Sequence, residues 1–231
     1  MTSTPRTQAG SGAPASPATE PARGWTVAAR PVGDPVSAML LREYLVDVAD
    51  RYYRLHEERD STPEEIEQAL AEMPSDDLAP PRGVFLLAHH EGELAGCAGV
   101  RLMDGRAAGL ERAAGLERAA ELERTELKRT AELKRTAELE RAAELERTEL
   151  KRTAELKRVY VRPAKRGLGG GAALLAAVET AAGELGAERI ALDTRLDLVE
   201  ARALYARHGY REVPPFTEGP YAEVWMAKEL G

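Results

Sequence analysis

Cysteine is almost missing from this chain. Cys97 stands alone among 231 residues, so no intrachain disulfide can form and no cluster of thiolates can hold a metal. Histidine is scarce as well. His56, His89, His90 and His208 are scattered, and the adjacent pair would point to opposite faces of a strand, so the expectation is that no metal is bound. Basic residues are not in excess: 32 Lys and Arg face 39 Asp and Glu, a net charge of -7. A nucleic-acid binder would usually be basic, so none is expected as a partner. No apolar run approaches a membrane span, and the first residues lack the apolar core of a secretory signal, so a cytoplasmic protein without a membrane partner is expected.

Residues 1–23 carry Thr, Ser, Pro, Ala and Gly with almost no large apolar side chains. Such a segment cannot bury enough surface to offset its ordering entropy and is expected to be disordered. From Gly24 the character changes. Trp25-Thr-Val27 reads as a strand, and Asp34-Pro35 as a helix cap with proline at the first helical position. Thr62-Pro63-Glu64-Glu65 has the form of a capping box for a second helix. Two strands follow over 83–88 and 94–102, joined by the short turn His90-Glu-Gly-Glu93, and Cys97 sits mid-strand as an inert buried thiol.

Residues 105–153 are a low-complexity insertion that repeats variants of Arg-Ala/Thr-Ala-Glu/Gly-Leu-Glu/Lys. Its leucines fall six or five apart, and six residues advance a helix by about 240°, so they spiral around the helix and form no coiled-coil seam. The composition still favours a charged, solvated helix, with Glu three residues before Arg at 121/124, 132/135 and 144/147. Thr153-Ala-Glu-Leu-Lys-Arg158 repeats Thr130-Ala-Glu-Leu-Lys-Arg135 residue for residue. This points to tandem duplication expanding a hairpin loop, with a partner-binding arm as the alternative.

Chemistry concentrates beyond the repeat. Val159-Tyr160-Val161 reads as a strand, Pro163 to Gly171 as a basic glycine-rich turn, and Ala172 to Leu185 as an apolar helix. That order creates an anion site from unpaired helix-start amides. Gly171 is followed by two alanines, so a P-loop ending in Gly-Lys-Ser/Thr is excluded. Gly167-Leu-Gly169-Gly-Gly171-Ala172 matches a relaxed dinucleotide fingerprint, but the charged Arg162–Arg166 segment intervenes and only about sixty residues follow. Arg166-Gly-Leu-Gly169-Gly-Gly171 fits R/Q-x-x-G-x-G/A instead. Asp197-Leu-Val-Glu200 then has capping-box form, and paired strands are expected over 210–216 and 221–227.

With Val161-Arg-Pro before the turn and Ala201-x-x-Leu204-Tyr205-x-x-x-Gly209-Tyr210 behind it, residues 24–104 and 154–231 resemble the GNAT (GCN5-related) N-acetyltransferases. The resemblance implies an α/β (α+β) fold with a mixed central sheet of six or seven strands and flanking helices, the repeat lying between its third strand, over 94–102, and its fourth, leading into Val159. It implies acetyl transfer from acetyl-CoA to a primary amine of a small molecule by direct attack. Arg166, Gly167, Gly169, Gly170, Gly171 and Ala172 would hold the pyrophosphate, and backbone groups of Val159 and Val161 the pantetheine and thioester. Tyr205 would protonate the departing thiolate and Glu155 would serve as base, with Asp193 or a water chain as alternatives. Leu198 stands where many relatives carry Asn. Tyr52, Tyr53, Phe216 and Tyr221 are candidates for the acceptor pocket; the acceptor's identity and the oligomeric state, a homodimer among the options, stay open. A catalytically silent acyl-CoA-binding or interaction module is the rival reading.

Overall fold

A computed structural model describes residues 23–103, 152–219 and 221–231. The N-terminal tail to residue 22 and the repeat from 104 to 151 lie outside them, and with them the expected disorder of the one and helix of the other.

Strand β1 (Trp25–Ala29) is followed by helices α1 (Pro35–His56) and α2 (Pro63–Glu72). Both begin where their caps require. The Asp34 carboxylate accepts from the Val36 N–H at 2.9 Å, and the reciprocal Thr62–Glu65 capping box is complete. Strands β2 (Gly83–His90) and β3 (Glu93–Leu102) form a hairpin whose turn residues, Glu91 and Gly92, both have positive φ, as a two-residue turn between twisted strands demands. Strand β4 (Thr153–Val161), helix α3 (Gly170–Glu184), strand β5 (Arg189–Thr194), helix α4 (Val199–Arg207) and strands β6 (Arg211–Glu212) and β7 (Val224–Glu229) complete the order. At the described ends of the repeat Leu102 lies opposite Ala154, and the Met103 N–H donates to the Thr153 carbonyl at 2.9 Å.

The sheet has seven strands in the order β1-β2-β3-β4-β5-β7-β6, antiparallel except for the parallel β4–β5 pair. Alternation sends two sets of side chains to two faces. On one face Leu86, Ala98, Val100, Ala154, Leu156, Ile190 and Leu192 pack with Leu174, Leu175 and Val178 of α3. On the other, Phe85, Leu87, Cys97 and Tyr160 meet Leu40 and Leu41 of α1 and Leu78. Each buried Leu or Phe contributes about 1.5–3 kcal/mol to this two-sided core. Cys97 is fully buried, with its thiol 3.6 Å from the Arg158 carbonyl, and burial pushes that thiol up to about 12, the behaviour of an unreactive core residue.

Two expectations fail near the C-terminus. The strand over 210–216 shrinks to Arg211–Glu212, because the last ladder bond runs from the Val213 N–H to the Trp225 carbonyl and Pro214 and Pro215 have no N–H to continue it. Its partner β7 starts at Val224 rather than Tyr221. The Asp197 capping box is absent as well. Leu198 holds the cap position of α4 without a side-chain bond, while the Asp197 carboxylate is taken by Arg195 at 2.8 Å and Arg51 at 3.2 Å.

Candidate active site

Parallel pairing between β4 and β5 covers only Thr153–Glu155 against Arg189–Ala191, and beyond it the strands part. The cause lies in β4. Between Lys157, opposite Gly99, and Tyr160, opposite Cys97, β4 carries one residue more than β3, and Arg158 there takes φ 58. Such a bulge bends its strand and increases the local twist. The unusual backbone of Arg158 is held by its guanidinium, which donates to the Met73 carbonyl at 2.9 Å and the Ser75 hydroxyl at 3.2 Å. The opening is a cleft of about 750 Å³ walled by β4, β5, α1, α4 and the glycine turn.

Backbone donors face this cleft from two sides. The Arg162 N–H bonds back to the Ala95 carbonyl in the β3 direction, so strand alternation aims the Val161 and Val159 amides the other way, into the gap that β5 has left. Below them, α3 makes its first internal bond from the Ala173 N–H to the Gly169 carbonyl, which leaves the amides of Gly170, Gly171 and Ala172 without helical acceptors. Gly169 caps the helix at φ 89, a conformation that a side chain would strain.

The glycine turn is held in place from afar. The Trp25 indole N–H donates to the Leu168 carbonyl at 2.7 Å, and a Cβ on Gly170 would lie 2.4 Å from the Trp25 ring. Gly170 is therefore small because β1 packs on it. Gly171 similarly faces Leu204 of α4, 2.7 Å from where its Cβ would be. Arg166, 49% exposed as a side chain, bonds the Val161 carbonyl at 3.0 Å and the Asp47 carboxylate at 2.7 Å. One helical turn away on α1, Glu43 grips Arg162 in a two-pronged pair at 2.7 and 2.8 Å.

The sequence-derived candidates separate here. Val159, Val161, Arg166, Gly167, Gly169, Gly170, Gly171, Ala172 and Tyr205 all line the cleft. Tyr205 is buried at 7% exposure beside Tyr210, and its hydroxyl has no hydrogen-bond partner among the described residues. Burial raises its pKa well above that of a free phenol, and the nearby Tyr44 and Asp193 add to the effect, so the proton stays on at neutral pH. Glu155 does not line the cleft. It is 2% exposed, with Oε2 bonded to Arg101 at 2.7 and 2.8 Å and Oε1 3.1 Å from Lys157. Asp193, two strand positions beyond the last β4–β5 pair, does line it. Burial first and the Glu155 charge second push its pKa up. Among the described residues no group of His, Cys, Asp and Glu could hold a metal ion, and no helix is long and apolar enough to cross a membrane.

Of the acceptor-pocket candidates, Tyr52 sits edge-on to Tyr221 and Tyr53, joining the end of α1 to the segment before β7. Trp25, Glu43, Asp47, Thr217 and Trp225 escaped the sequence reading as contributors to the site. Only the i, i+4 spacing of Glu43 and Asp47 could have suggested a shared helix face.

Residues 43–210 match the sequence profile of the acetyltransferase (GNAT) family, well over half the chain. The chain belongs to the GNAT acetyltransferases. Among solved structures, this GNAT chain is similar to an acetyltransferase of the same family from Staphylococcus aureus Mu50, with TM-score 0.54, 15% identity and coverage of 90% of this chain and 99% of the other. A second similar structure is a protein of Klebsiella pneumoniae subsp. pneumoniae MGH 78578 provisionally named as an acyl-CoA N-acyltransferase. Its TM-score is 0.50 with 20% identity, covering 90% of this chain and 98% of that one. At such identities the likeness shows the shared fold, a mixed sheet with flanking helices. No curated protein matches.

Proposed function

We propose that this GNAT chain transfers an acetyl group from acetyl-CoA to a primary amine of a small molecule. The observation that carries the reading is convergence: two sets of unpaired backbone amides, one protonated phenol and one cleft-facing carboxylate open on the same splayed gap. The fit to an acyl-CoA is chemical. Amides of Gly170, Gly171 and Ala172 at a helix start suit a diphosphate, with Gly167, Gly169 and Arg166 shaping the turn around it. The gap along Val159 and Val161 suits an extended arm that bonds a strand edge.

Acetyl-CoA supplies the thioester carbonyl. The Val159 and Val161 amides polarise that carbonyl and favour the charge that grows on its oxygen. Asp193 takes one proton from the acceptor ammonium, freeing the lone pair that forms the new C–N bond. Tyr205 gives its hydroxyl proton to the sulfur as the C–S bond breaks. The second proton lost by nitrogen restores the Tyr205 hydroxyl, and the one on Asp193 passes to solvent. Glu155, the base expected from the resemblance, has both oxygens engaged by cations, so Asp193 takes that role and Glu155 braces the floor.

Calorimetric titration of acetyl-CoA into the full chain tests the first half. Micromolar binding that Gly169→Trp abolishes is expected, and a folded protein that does not bind acetyl-CoA overturns the reading. Release of free thiol in a screen of small amines tests the second half, and binding without turnover of any amine would favour a silent acyl-CoA module.

A further inference from the structure

Asp193 is held from one side only. Its Oδ1 lies 3.4 Å from the Thr217 hydroxyl, while Oδ2 has no hydrogen-bond partner among the described residues. Thr217 is in turn met by the Trp225 indole, whose Nε1–H donates to Oγ1 at 3.0 Å. An indole N–H can only donate. The threonine oxygen therefore spends a lone pair on Trp225, and its own proton is left for the carboxylate. The two ends have separate supports: Trp225 is the β7 residue directly opposite Asp193, whereas Thr217 lies in the segment between β6 and β7.

We infer that Thr217 and Trp225 are positioning residues for Asp193, fixing one carboxylate oxygen by a donated hydroxyl proton and leaving the other to meet the acceptor ammonium. The inference rests on Asp193 being the base. The charged and titratable groups facing this carboxylate are Glu155, Lys157 and Arg158 of β4 and Tyr205 of α4. Burial and Glu155 work against its ionisation, whereas Lys157, Arg158 and the Thr217 hydroxyl favour it. The hydroxyl is the one member of this set that acts by a directed hydrogen bond alone and can be deleted without changing charge. Its bond is long, as catalytic hydrogen bonds often are before the substrate is in place. Because the segment before β7 also carries Tyr221, which meets Tyr52 of α1, the device ties the base to the wall where an acceptor would rest.

The decisive measurement needs no acceptor. The Asp193 side-chain carboxyl is titrated by 13C NMR in the full chain, in wild type, Thr217→Val, Thr217→Ser and Trp225→Phe. The expected result is a higher titration midpoint in Thr217→Val, a midpoint near wild type in Thr217→Ser, and a smaller rise in Trp225→Phe. With acetyl-CoA and an amine from the screen, Thr217→Val should lower kcat/KM roughly two- to ten-fold on the acid limb, the equivalent of one hydrogen bond, and converge on wild type at high pH. An unmoved midpoint in a folded Thr217→Val protein overturns the inference while leaving Asp193 as base. Full turnover by Asp193→Asn overturns the base assignment and the inference with it. Should Thr217→Val not fold, the Trp225→Phe and Thr217→Ser pair decides by the same comparison.

Discussion

Two carboxylates on neighbouring strands, Glu155 buried and Asp193 half-buried, show what separates a brace from a proposed base. Glu155 lies where β4 is still flanked by both β3 and β5, and cations saturate it: Arg101 bridges it to Asp77, and Lys157 covers the other oxygen. Asp193 lies where the strands have parted, with one weak bond and one open oxygen facing the cleft. Both belong to the same sheet and influence each other electrostatically. A carboxylate whose oxygens are both held by fixed cations braces the sheet and has no free oxygen to turn toward a substrate. One that is partly desolvated and under-bonded resists ionisation and can take a proton.

The sharpest way to break this contrast is to neutralise each in turn. Asp193→Asn is expected to lower kcat/KM about 10²–10⁴-fold, the usual weight of a general base. It should also raise the unfolding midpoint at neutral pH. Asp193 has a raised pKa in the folded state, so folding binds protons and the ionised form weakens the fold as pH rises through that value. The amide removes the penalty. Glu155→Gln should do the reverse. It leaves Arg101 and Lys157 facing an uncharged buried group and is expected to destabilise by about 3 kcal/mol, with kcat/KM of the folded protein within a few-fold of wild type. Denaturation followed by fluorescence and thiol-release kinetics read both effects, and loss of turnover in a stable Glu155→Gln protein would reverse the assignment.

Tyr205→Phe comes next. It keeps the ring against Tyr210 and removes only the hydroxyl, so a fall in kcat of about 10²-fold with stability preserved is expected. Unchanged kcat would reduce Tyr205 to a packed aromatic of α4.

How much of this contrast could be read beforehand depends on the range of the interaction. The caps of α1 and α2, the hairpin at Glu91–Gly92 and the glycine turn before α3 are local, and spacing alone announced them. The resemblance to the family rested on two such local patterns in order, and the family match over 43–210 bears it out. What spacing could not announce depends on contacts between distant residues. Glu155 occurs in a hexad that the sequence repeats many times, and only the sheet brings Arg101 to it. Asp197 has the form of a cap but is claimed by Arg195 and Arg51. Gly170 looks like one more phosphate-turn glycine, yet the ring of Trp25, 145 positions earlier, is what forbids it a side chain.

That last contact sets a third prediction. Gly170→Ala places its Cβ against the Trp25 ring, and the overlap should destabilise by about 1–3 kcal/mol. Gly171→Ala meets only the flexible end of Leu204 and should be milder. Equal effects in thermal denaturation would remove Trp25 as the anchor of the turn.

The smallest expected effect concerns the carboxylate at the cleft's other rim. Asp47 holds Arg166 at 2.7 Å in an exposed pair, which is worth no more than about 1 kcal/mol. It also sets a negative charge beside the amides proposed to receive a diphosphate. Two outcomes compete. If Asp47 mainly orients Arg166, Asp47→Asn loosens acetyl-CoA. If it mainly competes for the guanidinium, the same change tightens it. Arg166 has a second fixed contact, the Val161 carbonyl at 3.0 Å, so its direction survives the loss of Asp47 while the repulsion disappears. Asp47→Asn is therefore expected to tighten acetyl-CoA by about two- to five-fold in calorimetry, and the gain should shrink as salt screens the exposed charges. Weaker binding would make Asp47 a support of the anion site, as Glu155 is of the sheet.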